Sequence, residues 1–207
     1  MRYFLLLITT VLLHASAYPN FTYKEAISIE ESSGKEAVNR IFEYNEIINS
    51  DKKETSLKQL KKINTYLNKL TYKSDKSNNN KRDHWATPKE FLISGNGDCE
   101  DYAILKYYTL IKLGFDPKKL FITIVYHPAS KSHHMVLSYF IKDGEAPLIL
   151  DNSNPKILNL TQRNDLKINA FLNTSGVYRF NKKSELTKTK ESSKKLKSLL
   201  KRVQIES

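Results

Sequence analysis

A single cysteine, Cys99, carries the clearest chemical signal in this chain of 207 residues. It follows Ser94-Gly95-Asn96-Gly97-Asp98, whose two glycines tolerate positive φ, and it opens an apolar-periodic stretch, residues 99–113, that Gly114 stops. The pattern predicts a thiol at a helix N-terminus, where the helix dipole and a nearby imidazole favour the nucleophilic thiolate. Four histidines lie beyond residue 17. His84 falls in a polar loop, His127 precedes Pro128 at a strand end, and His133 and His134 begin a strand. Asp143-Gly144 is a favoured hairpin turn, and a two-residue turn there sets His134 opposite Ser153 and diagonal to Asp151. His134 and Asp151 then share a face, their Cβ atoms roughly 7 to 8 Å apart or less, so a carboxylate can fix the imidazole tautomer. His133 points the other way, and a loop longer by one residue would reverse the parity. The candidate constellation is Cys99 as nucleophile, His134 as base and Asp151 as the group that orients it. The plain alternative is a packed helix cysteine, a satisfied strand histidine and a turn-forming aspartate, and spacing alone leaves both readings open.

Asp98, Glu100 and Asp101 crowd three carboxylates around that thiol. Unneutralised, they raise its pKa. Acidic residues are favoured at a helix start and can simply cap it. A bound cation would offset more of the charge, and hard oxygen donors suit Ca²⁺ rather than zinc, although the spacing is not that of an EF-hand loop.

The elements that must position these groups follow from periodicity. Val38, Ile41, Phe42 and Ile48, then Leu57, Leu60, Ile63, Leu67 and Leu70, predict two amphipathic helices at the start of the domain. A polar stretch around Asn78-Asn79-Asn80 reads as a loop. Thr87-Pro88-Lys89-Glu90 is a capping box with Pro at the first helical position, and it starts a short helix to about residue 93. Residues 120–126, 134–141 and 147–150 are rich in β-branched and aromatic residues, and residues 177–180 offer a further strand. Leu196, Leu199, Leu200 and Val203 among many lysines predict a basic C-terminal helix over about residues 184–204. Helices first and antiparallel strands after give an α+β domain, with the nucleophile helix packed on an antiparallel sheet.

Residues 1–17 read as an export signal, with basic Arg2, an apolar run too short to span a bilayer, and Ala15-Ser16-Ala17 before the expected cleavage at Tyr18. The remaining residues, 18–207, suit one domain that is not membrane-embedded. The net charge of +12 falls by one on cleavage, because Arg2 is the only charged side chain removed. The lysines lie along helical stretches without interleaved aromatics, which argues against nucleic acid as a partner. An unpaired cysteine in an exported chain persists where its reactivity is used.

Trp85-Ala86-Thr87-Pro88, Gly97-Asp98-Cys99-Glu100-Asp101-Tyr102-Ala103-Ile104, His134-Met135-Val136-Leu137 and Pro147-Leu148-Ile149-Leu150-Asp151-Asn152 together resemble the bacterial transglutaminase-like cysteine protease family, in particular its periplasmic adhesin proteases. The match covers about residues 83–180. The resemblance implies a papain-like or transglutaminase-like core, a Cys99-His134-Asp151 triad, and Ca²⁺ held by Asp98, Glu100 and Asp101. It further implies a periplasmic location and cleavage of a large surface adhesin near its N-terminus at a pair of alanines, with release of the adhesin and dispersal of the biofilm. An inner-membrane cyclic di-GMP receptor is the implied inhibitory partner. Acyl transfer to amines by the same triad, or a non-catalytic calcium-binding module, are the alternatives. An oxyanion hole would include the Cys99 N–H, with a second donor sought near Trp85.

Overall fold

The computed structural model describes residues 18–51, 55–74 and 84–207. The export signal expected over residues 1–17, and the loop expected around Asn79, lie outside the described residues.

Three helices come first. Thr22 and Glu25 form a reciprocal capping box that starts helix α1 (Tyr23–Ser33), and Gly34 ends it at φ +83°. Helices α2 (Lys35–Asp51) and α3 (Ser56–Leu67) follow. Sequence periodicity anticipates α2 and α3 but not α1, whose only buried residue is Ile29. Two expected core residues are corrected. Phe42 and Leu57 are each 56% exposed; the buried stripe of α2 is Ala37, Ile41, Tyr44 and Ile48, the i, i+4, i+7, i+11 face, and Phe42 lies off it.

Next come β1 (Thr71–Tyr72), α4 (Pro88–Ser94), β2 (Asn96–Gly97) and α5 (Cys99–Lys112). β1 and β2 form a small parallel pair. The rest of the chain is mostly sheet: β3 (Leu120–His127), β4 (Ser132–Tyr139), β5 (Leu148–Leu150), β6 (Leu158–Asn159), β7 (Lys167–Asn173), β8 (Gly176–Phe180) and β9 (Leu186–Lys190). They pair antiparallel in the order β6-β5-β4-β3-β7-β8-β9. Helix α6 (Lys194–Glu206) closes the chain.

The basic C-terminal helix is shorter than residues 184–204 because residues 186–190 form β9. There β-branched Thr187 and Thr189 alternate with lysines, and their hydroxyls donate to Arg179 O and Val177 O of β8. Ser193 then caps α6 through its Oγ. Strand β7 also escapes a sequence reading. Its Asn and Ala residues disfavour strand, yet it lies beside the central β3 and is buried over residues 170–173, so tertiary pairing overrides propensity.

Helix α5 packs across β3 and β4, with α3 on its other flank. The main core is built there from Ile104, Leu105 and Leu110 of α5, Leu60, Ile63 and Leu67 of α3, and Ile122, Leu137 and Leu150 of the sheet. This is the expected α+β layering, with the nucleophile helix on an antiparallel sheet. Among the described residues no helix is long and apolar enough to cross a membrane.

Candidate active site

The approach to Cys99 is built from short, strongly capped pieces. Thr87 and Glu90 satisfy each other's backbone N–H groups at the start of α4, at 3.2 and 2.8 Å. Gly95 ends α4 in the left-handed region, at φ +69°. β1 then grips the turn: Thr71 N–H donates to Gly95 O at 3.1 Å and Lys73 N–H to Gly97 O at 2.8 Å. Asp98 becomes the N-cap and Cys99 the first residue of α5. Asp101, one turn on, folds back to brace this corner. Its Oδ1 accepts from Ala86 N–H at 2.7 Å and its Oδ2 from Asp98 N–H at 3.1 Å. Gly97 is required by that closure, because a Cβ there would stand 2.5 Å from Asp101 Oδ2.

The half-buried Cys99 thiol donates to Glu100 Oε2 at 3.2 Å, while the Met135 N–H stands near enough to the sulfur to favour its ionised form. Burial pushes the thiol pKa well up, and the Glu100 carboxylate adds to the rise, as does Asp98; the Met135 N–H opposes it. Tyr72 of β1 feels the same surroundings, its phenol raised by burial and by the neighbouring acidic groups Cys99, Asp98 and Glu100. Asp98 and Asp101 are nearly buried, and Glu100 is half-exposed. Among the described residues, no three His, Cys, Asp or Glu side chains are drawn into a ready-made metal cage. The donors at this corner are nevertheless hard oxygens of one sign, the chemistry a calcium ion takes, and each carboxylate oxygen has lone pairs beyond the bonds described.

The contact with Met135 ties the sulfur to β4, where His134 is the adjacent residue. The β4–β5 register pairs Leu137 with Leu150 and Ser138 with Ile149. Continued beyond the ladder, it sets position 134 against position 153, the alignment read from the Asp143-Gly144 turn. The connection is longer than a two-residue loop, but its parity is even, so the face is kept. His134 Nε2 lies 2.8 Å from Asp151 Oδ1. His133 turns to the opposite face, against the Tyr126 ring and Asn169. His84 meets Glu90, and His127 lies 3.9 Å from Asp165.

Asp151 is fully buried, and every side of it is occupied. Oδ1 also accepts from Ser153 N–H and Ser153 Oγ, each at 2.8 Å, and Oδ2 accepts from Arg163 Nη2 at 2.8 Å. Its backbone carbonyl accepts from Asn68 Nδ2 at 2.8 Å. Burial works against the charge, but His134, Ser153 and Arg163 together hold the carboxyl far below its usual range. Lys106 of α5 stands nearby, fully buried, donating to Asn64 Oδ1 at 2.8 Å. Burial lowers its pKa to about 7, against the pull of Asp151. With Asp151 ionised, His134 Nε2 must carry its hydrogen, which leaves Nδ1 as the basic nitrogen.

Sequence reasoning misses Arg163, Lys106, Asn64 and Asn68. Lys106 had a readable signal, a lone charge inside the apolar run Ala103-Ile104-Leu105-Lys106-Tyr107. Arg163 had none. Trp85 packs in the main core, with Lys195 over its ring and its carbonyl accepting from Arg202.

A sequence model described as bacterial transglutaminase-like cysteine proteinase matches residues 35–170. Among solved structures, EGTA-treated LapG of Legionella pneumophila is similar, at 32% identity and a TM-score of 0.76, covering 89% of this chain and 99% of that one. The calcium-bound form of the same LapG aligns at 32% identity and a TM-score of 0.74, over 88% of this chain and 99% of that one. Among curated proteins none matches.

Proposed function

This chain belongs to the bacterial transglutaminase-like cysteine proteinases, and we propose that within that family it is a periplasmic, calcium-dependent endopeptidase with Cys99, His134 and Asp151 as its triad. Its substrate in this reading is a large surface adhesin, cut near its N-terminus at a pair of alanines, so that cleavage releases the adhesin and disperses the biofilm. An inner-membrane cyclic di-GMP receptor is the inhibitory partner that sequesters it. The observation that carries the proposal is a conjunction. The Cys99 sulfur meets the backbone of Met135, and the neighbouring His134 has its Nε2 fixed on Asp151 at 2.8 Å.

In the mechanism, His134 Nδ1 takes the Cys99 proton and the sulfur attacks the scissile carbonyl carbon. The tetrahedral oxyanion is met by the Cys99 N–H at the open end of α5. Collapse breaks the peptide C–N bond, and the imidazolium gives its proton to the leaving amine. Water, deprotonated by His134, then releases the carboxylate product and restores the thiol. Asp151 stays ionised throughout and stabilises the imidazolium.

Asp98, Glu100 and Asp101 are the residues that would hold Ca²⁺. When bound, the ion supplies positive charge that cancels the carboxylate field raising the thiol pKa. LapG, to which the chain is similar, has been solved with calcium bound. Asp101 already accepts two backbone N–H groups, so it braces the corner as well as offering oxygen to a cation.

The test is to incubate the protein, beginning at Tyr18, with surface extracts of its own cells, with and without calcium, and to sequence the new N-termini. A single new terminus within a large surface protein, lost with EGTA and with Cys99→Ala, is expected. Turnover by Cys99→Ala would end the nucleophile assignment, and cleavage indifferent to EGTA would end the calcium assignment alone. Incorporation of added amines in place of hydrolysis would mark the protein as an acyltransferase.

A further inference from the structure

Asp151 divides its two oxygens between two duties. Oδ1 meets His134 and both donors of Ser153, while Oδ2 is reserved for Arg163. Arg163 is itself nearly buried and is aimed by a second carboxylate. Its Nε lies 2.9 Å from Asp165 Oδ1 and its Nη2 2.7 Å from Asp165 Oδ2, a forked contact with a group that is 42% exposed. Nη1 is buried with no hydrogen-bond partner among the described residues.

A guanidinium so placed is a poor stabilising device. Burying an ion pair loses hydration that the pairing only partly returns, and an orphaned N–H makes the balance worse. What it does supply is direction. A carboxylate held only on Oδ1 can swing about its Cβ–Cγ bond; one also held at Oδ2 by a guanidinium that Asp165 fixes in place is stopped from doing so.

The geometry points to Arg163 as the positioning residue of the triad, holding Asp151 by Oδ2 so that Oδ1 stays presented to His134 Nε2, with Asp165 as the outer anchor that aims the guanidinium. Arg163 touches neither substrate nor sulfur; it acts only through Asp151. This rests on reading Cys99, His134 and Asp151 as a protease triad. Asn68 separately holds the Asp151 backbone carbonyl, so side chain and main chain are fixed by different residues.

The experiment compares R163M, R163K and D165N with wild type, in calcium, on the surface protein cleaved in the extract test. R163M should lower kcat about 30-fold with KM unchanged within about twofold, and D165N should lower it about threefold. R163K should fall between them, since an ammonium supplies charge without the fork. Because Arg163 works through Asp151, adding R163M to D151N should cost less than about a further twofold. Long-range ¹H–¹⁵N correlation of the His134 ring should show one Nε2–H tautomer in wild type and a mixture in R163M.

A folded R163M with kcat within about twofold of wild type would overturn the proposal, as would a full multiplicative loss on top of D151N. If R163M does not fold, R163K and D165N decide, and unchanged kcat in both rejects the role. If wild type cleaves nothing, the protease reading fails separately, and the His134 tautomer still judges the positioning.

Discussion

The two ends of the candidate site are built on opposite electrostatic plans. Around Asp151, a buried carboxylate is met by His134, Ser153 and Arg163, with Lys106 close by. Around Cys99, the thiol is met by Glu100 and Asp98, which oppose ionisation, and by one favourable N–H from Met135. In the proposed triad the base and its orienting group are thus complete within the polypeptide, whereas the proposed nucleophile stands in a carboxylate field that a bound cation would offset. The difference assigns fixed geometry to one end and an external condition to the other.

Breaking the complete end has the largest consequence. Asp151→Asn removes the charge that fixes the His134 tautomer and leaves the buried Arg163 guanidinium facing a neutral amide. We expect kcat to fall about 10³-fold and stability to drop by about 3 kcal/mol, read by steady-state kinetics and urea melts. Near-native activity in the folded variant would erase the contrast.

Lys106 sharpens the same end through pH. Its folded-state pKa of about 7 lies below the ordinary lysine value, so between the two the unfolded chain binds more protons and unfolding free energy rises with pH. The penalty of burying the cation is full below pH 7 and is relieved as pH rises toward about 10. Wild type should gain about 2 kcal/mol between pH 7 and 9. Lys106→Met should lose that slope, and an identical slope in both proteins would remove Lys106 from the network.

At the Cys99 end, chelation should slow alkylation of the thiol by iodoacetamide about tenfold near neutral pH. Glu100→Gln should shrink that difference by removing the charge that most opposes ionisation. Alkylation equally fast in EGTA and in calcium would mean the carboxylates do not govern the sulfur.

Sequence made the Cys99 end legible because its structure is local. Gly97, the Asp98 cap, the Thr87 to Glu90 box and the helix running from Cys99 all announce themselves within a few residues. The His134 face was legible too, since strand parity survives an even-length connection. The surroundings of Asp151 were not. Arg163 arrives from a loop after β6, Asn64 and Asn68 from a helix more than 80 positions earlier, and no periodicity links them. The same holds for β7 and β9, whose pairing is decided by partners rather than by their own composition. Phe42 shows the converse error, a large apolar residue that a pattern assigns inward and the folded helix leaves outside.

Helix α6 fastens the segment leading to Cys99. Arg202 holds the Trp85 carbonyl and Glu90, while Glu206 receives the hydroxyls of Thr87 and of Tyr18, the latter across 188 positions. Ala86 within that segment is in turn held by Asp101, beside Cys99. Contacts so distant along the chain are among the last a folding polypeptide secures. The corner bearing Cys99 is therefore latched only once α6 has docked.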